Sequence, residues 1–149
     1  MSRWMKLKLY MRVLGAVEAS AIVPALMPIA WIAVIHQWLG MGPFPDAPVA
    51  QYLARSTSWF YVIQGGLFWL LSFDPPRYRP VIAYLGVAGL LGGVGLLAMD
   101  WMIGMPVWWT LMEGPVVMGL CLTLLVLLRR SSVAEPAEHR PGASLVVKE

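Results

Sequence analysis

The sequence predicts an all-α integral membrane protein, a four-helix bundle with both termini on the cytoplasmic side. Three observations lead there. Hydrophobic residues make up 59% of the chain and charged ones 13%, with a mean hydropathy of +0.69. The apolar residues fall into four runs of about 20 or more, each long enough to cross about 30 Å of hydrocarbon at about 1.5 Å per residue. Ten of the eleven lysines and arginines lie on one side of the alternation these runs impose, which marks that side as cytoplasmic. Arg55 is the exception, near the opposite face.

The first run, about 12–38, follows Arg3, Lys6, Lys8 and Arg12. Ala19-Ser20-Ala21 has the form of a signal cleavage site, but the apolar stretch before it is short and Glu18 interrupts it, so the segment reads as an uncleaved helix. Pro24 and Pro28 each remove a backbone donor, freeing the carbonyls of Ser20 and Pro24. A kink is expected there, with the freed carbonyls met by neighbouring helices.

Residues 39–49 concentrate glycine and proline and form a loop. The second run, about 50–73, carries Arg55 near its start and Gln64 near its middle, followed by Gly65-Gly66 where another helix can come close. Three prolines in residues 74–80 then force a short basic turn.

The third run, about 81–103, aligns Ala83, Gly86, Gly89, Gly92 and Gly93 at helical spacing, which places it at the centre of the bundle. The same Gly89/Gly93 motif serves equally as a homodimer seam. After a Gly104-Met105-Pro106 turn, the fourth run, about 107–128, ends at Arg129-Arg130. The expected organisation is one transmembrane domain over 1–130 and a flexible cytoplasmic tail over 131–149, polar and without periodicity.

In this topology His36, Arg55, Asp100 and Glu113 all fall toward the non-cytoplasmic end of four different helices. Asp100 precedes the last turn by about 6 Å of helix and Glu113 follows it by about 12 Å, so neighbouring antiparallel helices bring the two acids within reach of each other. Arg55 is their natural counter-charge, since a carboxylate in a low-dielectric site must pair, hydrogen-bond or take up a proton. Facing carboxylates suit proton transfer, with Glu113 and Asp100 as catalytic candidates, whereas an intervening Arg55 makes a structural salt bridge. Glu113 lies deeper than the others, and Gly114-Pro115 weakens the helix behind it. Glu18 is a further membrane acid, expected near the cytoplasmic rim.

Among the eight tryptophans, Trp4, Trp38, Trp101, Trp108 and Trp109 suit the interfacial belts, and Trp31, Trp59 and Trp69 are placed to line an apolar pocket. The lone Cys121 excludes an internal disulfide and a cysteine metal cluster. His36 is the one histidine in the apolar runs, and no CxxCH, HExxH, P-loop or GxSxG is present, so no metal or cofactor is expected. The basic residues flank apolar runs, so lipid headgroups rather than nucleic acid are the anionic partner.

The stretch from Tyr52 to Arg130 resembles the DoxX-like small four-helix membrane proteins: an arginine early in the second helix (YLARSTSWFYVIQGGLFWLL), a basic proline turn (DPPRYRP), a glycine-rich third helix (GVAGLLGGVGLL) and a Gly-x-Pro turn before an acid (GMPVWWTLMEGP). The resemblance implies a compact bundle serving as a subunit or accessory of a membrane assembly. A fainter similarity, in residue types alone, is to sterol-isomerase-like four-helix proteins.

The expected function is a non-catalytic subunit or a binder of an apolar molecule, a lipid or quinone, in a bacterial-type inner membrane. Glu113, Asp100, Arg55 and His36 would meet its polar part and Trp59 and Trp109 its apolar body. The partners are then membrane lipids, a lipid-soluble ligand and a membrane protein or second copy. The alternatives are an enzyme moving a proton with Glu113 or Asp100, and a small transporter using Glu18 and Glu113.

Overall fold

The structure, a computed structural model, describes residues 3–132. Those residues form helices α1 (Arg3–Ala19), α2 (Ile22–Leu26), α3 (Ile29–Trp38), α4 (Pro48–Leu71), α5 (Arg79–Ile103) and α6 (Val107–Ser132), with no strand among them. Three segments, Trp4–Leu26, Arg79–Ile103 and Val107–Ser132, are long and apolar enough to cross a membrane. The chain is thus a small helical membrane protein. α4 is as long, at 24 residues, but Gln51, Arg55, Gln64 and the Ser56-Thr57-Ser58 run lower its hydropathy. Ser131 and Ser132 continue α6, and the tail expected beyond them lies outside the described residues.

The single kinked helix expected over 12–38 is instead three helices, beginning at Arg3. Helical bonding tightens at Ser20, whose carbonyl takes the Val23 N–H at 3.0 Å because Pro24 has none to give. At Met27 and Pro28 the backbone is extended, with ψ of 152° and 141°, so the helix stops and restarts rather than bending. The residue before a proline is driven out of the helical region, which explains the break at Met27. The α3 helix that follows buries no residue.

The other breaks follow their residues. Between α4 and α5 the Asp74 carboxylate accepts the Arg77 N–H at 3.3 Å, and the Tyr78 N–H bonds the Asp74 carbonyl. Gly104 ends α5 at φ 77°, a left-handed conformation, which turns its own N–H and that of Met105 back onto the Asp100 carbonyl.

Two hairpin-like pairs, α1 with α4 and α5 with α6, make up the bundle, and α1 joins them by packing on α6. Each pair crosses at glycines. A Cβ on Gly65 would sit 2.5 Å from the Gly15 carbonyl oxygen and 2.6 Å from the Ala19 nitrogen. Across the other pair, Gly86, Gly89 and Gly93 of α5 receive Leu125, Cys121 and Met118 of α6, and Gly114 lies against the Gly93 carbonyl and Leu97. Of the small-residue face read from the sequence, Gly86, Gly89 and Gly93 are thus covered within the chain by α6, while a Cβ on Gly92 would meet nothing within 4 Å. Tyr10 ties α1 to α6 by donating to the Leu120 carbonyl at 2.7 Å.

The core occupies one end. Leu7, Met11 and Leu14 of α1, Phe68 and Leu71 of α4, Ile82 of α5, and Leu124 and Leu128 of α6 form one buried cluster. These residues come from the beginnings of α1 and α5 and the ends of α4 and α6, the end rich in basic residues. Arg12 closes it, donating from Nε to the buried Ser72 Oγ at 3.2 Å and lying over the Phe73 ring. In the other half the buried residues are small or polar: Ala25, Gly65, Gly93, Asp100, Thr110 and Gly114.

The glycine crossing yields a matched pair of tests. Gly65→Ala should lower stability by about 1–3 kcal/mol through backbone collision. A Cβ on the neighbouring Gly66 meets nothing within 4 Å. Gly66→Ala should therefore be neutral or gain up to about 1 kcal/mol of helix propensity. Denaturant titration of both variants in detergent, followed by circular dichroism, measures the difference.

Candidate functional site

Arg55 begins the site, because its position on α4 faces the break between α2 and α3. Its Nη1 donates to the Ala25 carbonyl at 2.9 Å and its Nη2 to the Met27 carbonyl at 3.1 Å. Both carbonyls lie where α2 ends and no further turn supplies donors. A carbonyl unmet in hydrocarbon costs several kcal/mol, so the guanidinium substitutes for the missing helix. Among the described residues no ion pair joins Arg55 to Asp100 or Glu113. The salt bridge that the sequence offers as one arrangement does not form, because the Pro28 break presents Arg55 with nearer acceptors. His36 also looks inward to its own loop, with Nδ1 2.9 Å from the Gly42 carbonyl and its ring edge-on to Phe44.

The acids occupy different environments. Asp100 is 6% exposed, and its Oδ2 is buried without a hydrogen-bond partner. It lies in the last turn of α5, beside a cavity of about 230 Å³ lined by Trp101, Gly104, Met105, Val107, Thr110 and Leu111. Glu113 is half-buried and accepts the Trp109 indole N–H at 2.6 Å, one turn back on α6. α6 runs on through Gly114 and Pro115, so the weakening expected behind Glu113 does not interrupt the helix.

Glu18 lies farther in than the sequence reading has it. Counted from Arg3, it stands about 22 Å along α1, near the middle of the bundle and past the Gly15–Gly65 crossing. Gln64 of α4 reaches across that crossing, its Nε2 3.5 Å from Glu18 Oε1, while Glu18 Oε2 is buried without a partner. Tyr61, one turn before Gln64 on α4, lies within electrostatic range of both Glu18 and Glu113. Cys121 of α6 and Tyr10 of α1 are also within range of Glu18. Glu113 stands about 28 Å from the end of α6, so the two glutamates differ in depth by only about 6 Å.

Gln64 and Tyr61, both exposed on α4, thus stand within reach of Glu18, and Tyr61 also of Glu113, which holds Trp109. The sequence names Glu113 and Trp109 together, which the structure joins by a hydrogen bond, and does not single out Tyr61, whose signal is the three-residue spacing to Gln64. Among the tryptophans, Trp38 and Trp101 are 83% and 80% exposed near the loops, as interfacial anchors require. Trp31, Trp59 and Trp69, expected to line a pocket, are exposed on the outer surface.

The polar group can accept hydrogen bonds, through Glu18 and Glu113, and can donate and accept through Tyr61 and Gln64. Among the described residues no set of three or more His, Cys, Asp and Glu side chains converges on a metal position. No protein-family model, curated protein or solved structure matches the chain.

A double-mutant cycle tests the separation of Arg55 from the acids. Arg55→Ala should cost about 2–3 kcal/mol by stranding two carbonyls that accept charge-assisted bonds. Combined with Asp100→Asn, the coupling energy should stay within about 0.5 kcal/mol, as for sites without a shared partner. A coupling of several kcal/mol in detergent unfolding would restore the salt-bridged cluster.

Proposed function

We propose that the chain crosses the membrane four times, with α4 as the fourth span and both termini cytoplasmic. In this reading it is a non-catalytic subunit or binder that takes a lipid-soluble amphipathic molecule, a lipid or quinone, between its two helical pairs. The DoxX-like layout and an inner-membrane location belong to the same proposal. α4 supports its part by its length, its packing along α1 and α2, and the apolar Phe60, Ile63 and Leu70 it exposes.

One observation carries the binding role: every large buried apolar side chain belongs to one end of the bundle, while the middle holds a carboxylate oxygen with no donor. A protein interior that neither fills its far half with bulky side chains nor satisfies its acids is built to receive a complementary group. A molecule with a hydroxyl or amine headgroup supplies the donor that Glu18 Oε2 lacks, and its apolar body replaces missing packing. Glu113, already held by Trp109, orients the headgroup from the opposite side.

Native mass spectrometry with lipid identification tests this on protein purified in mild detergent. The wild type should retain a specific apolar molecule, Glu18→Gln should reduce its occupancy about tenfold, the scale of one charge-assisted hydrogen bond, and Glu113→Gln should reduce it less. Loss of nothing specific in either variant, with equal lipid profiles throughout, would refute the binding role.

A second reading has its own observation, the electrostatic reach of the 42% exposed Tyr61 to both Glu18 and Glu113. Titratable groups within such reach of one another suit a proton path in a small transporter. Liposomes carrying an internal pH dye separate the two: proton flux abolished by Glu18→Gln and by Tyr61→Phe favours transport, and its absence from the wild type favours binding.

A further inference from the structure

A second site lies at the basic end, on the outer face of the α5–α6 pair. There a cavity of about 400 Å³ runs between Val87 of α5 and Leu122, Leu125 and Val126 of α6, and opens at Arg79 and Arg129. Arg79 opens α5 and Arg129 stands in the last turn of α6, so both guanidinium groups sit at one end of an otherwise apolar trough. From Arg79 to Val87 the trough extends about 12 Å along the helix.

These two arginines differ from most of the others. Arg12 is engaged by Ser72 and Phe73, Arg55 by the carbonyls of Ala25 and Met27, and Arg77 lies over the Tyr78 ring. Arg79 and Arg129 have no hydrogen bond, ion pair or ring contact among the described residues. A pair of unspent guanidinium groups offers the forked donors that bind phosphate oxygens in bidentate fashion. An apolar trough leading away from them matches an acyl chain, and basic pockets between transmembrane helices on the cytoplasmic side suit anionic headgroups.

We propose that this trough is a binding site for an anionic phospholipid, its phosphate held by Arg79 and Arg129 and one acyl chain lying against Val87, Leu122 and Val126. The inference rests on the membrane-spanning orientation proposed above and is independent of the Glu18 group. Charge complementarity selects the occupant: a neutral lipid leaves the headgroup charge unbalanced, and an apolar partner helix leaves both guanidinium groups unmet.

The test uses the full chain, delipidated in mild detergent and offered equimolar phosphatidylglycerol and phosphatidylcholine with identical acyl chains, with bound adducts counted by native mass spectrometry. The wild type should favour phosphatidylglycerol about tenfold or more, the scale of two basic groups facing an anionic headgroup. Arg79→Gln with Arg129→Gln should abolish the preference. Arg130→Gln, one residue on and turned by about 100° around the helix, should leave it intact. Val87→Trp keeps both arginines but fills the trough, so it should remove the adduct without altering the bundle, since Val87 faces outward.

Equal adducts of the two lipids on the wild type would overturn the proposal, as would a loss with Arg130→Gln equal to that of the double variant. A wild-type dimer that Val87→Trp dissociates, with no headgroup preference, would assign the trough to a second copy and overturn it too. Failure of the membrane-spanning reading looks different: the protein would then stay monodisperse without detergent.

Discussion

The bundle depends on the close approach of helix backbones at two glycine crossings, Gly15 with Gly65 and Gly93 with Gly114. Inside a membrane, apolar side chains gain nothing by leaving lipid for protein, so helices associate through packing and polar contacts. Removing the Cβ at both sides of a crossing brings backbones together and multiplies the dispersion contacts between them. The rest of the arrangement follows: α1 is held to α4, α5 to α6, and the Tyr10–Leu120 bond and the apolar cluster at the basic end join the two pairs.

Satisfaction of the backbone is the second constraint, and it explains the most polar side chain on α4. Proline at 28 forces Met27 out of the helix and leaves carbonyls at Ala25 and Met27 without donors. Arg55 meets both. Its charge is stabilised there by carbonyl dipoles and by its position toward the loop side of the bundle, rather than by an acid. A residue that looks like half of a salt bridge is thereby part of the fold, and the acids become free for other partners.

What those acids face separates scaffold from site. The end of the bundle that carries Arg12, Arg79 and Arg129 is filled with leucine, methionine, phenylalanine and isoleucine, and its polar groups are spent on joining helices or on the headgroup region. The middle and far half bury glycine, alanine and threonine beside carboxylates with unmet oxygens. Rigid packing at one end and incomplete satisfaction at the other is the physical contrast on which the proposed ligand site rests.

The all-helical character, the apolar segments, the turns at Pro75 and Gly104, and the glycine face of α5 were legible from residue type and spacing alone, because local sterics and hydropathy act within a few residues; at Pro28 a kink was legible and the full break was not. Which partner each polar group takes was decided by tertiary structure. Arg55 was assigned to Asp100 and Glu113 on depth alone, but depth does not contain the azimuth of a helix or the position of a chain break. Glu18 was placed at a rim because the start of α1 was read as about residue 12; the helix begins at Arg3, and those extra turns carry the glutamate to the middle. The spacing of Tyr61 to Gln64 is local, but its nearness to Glu18 comes through the pairing of α4 with α1, a long-range consequence of the Gly15–Gly65 crossing.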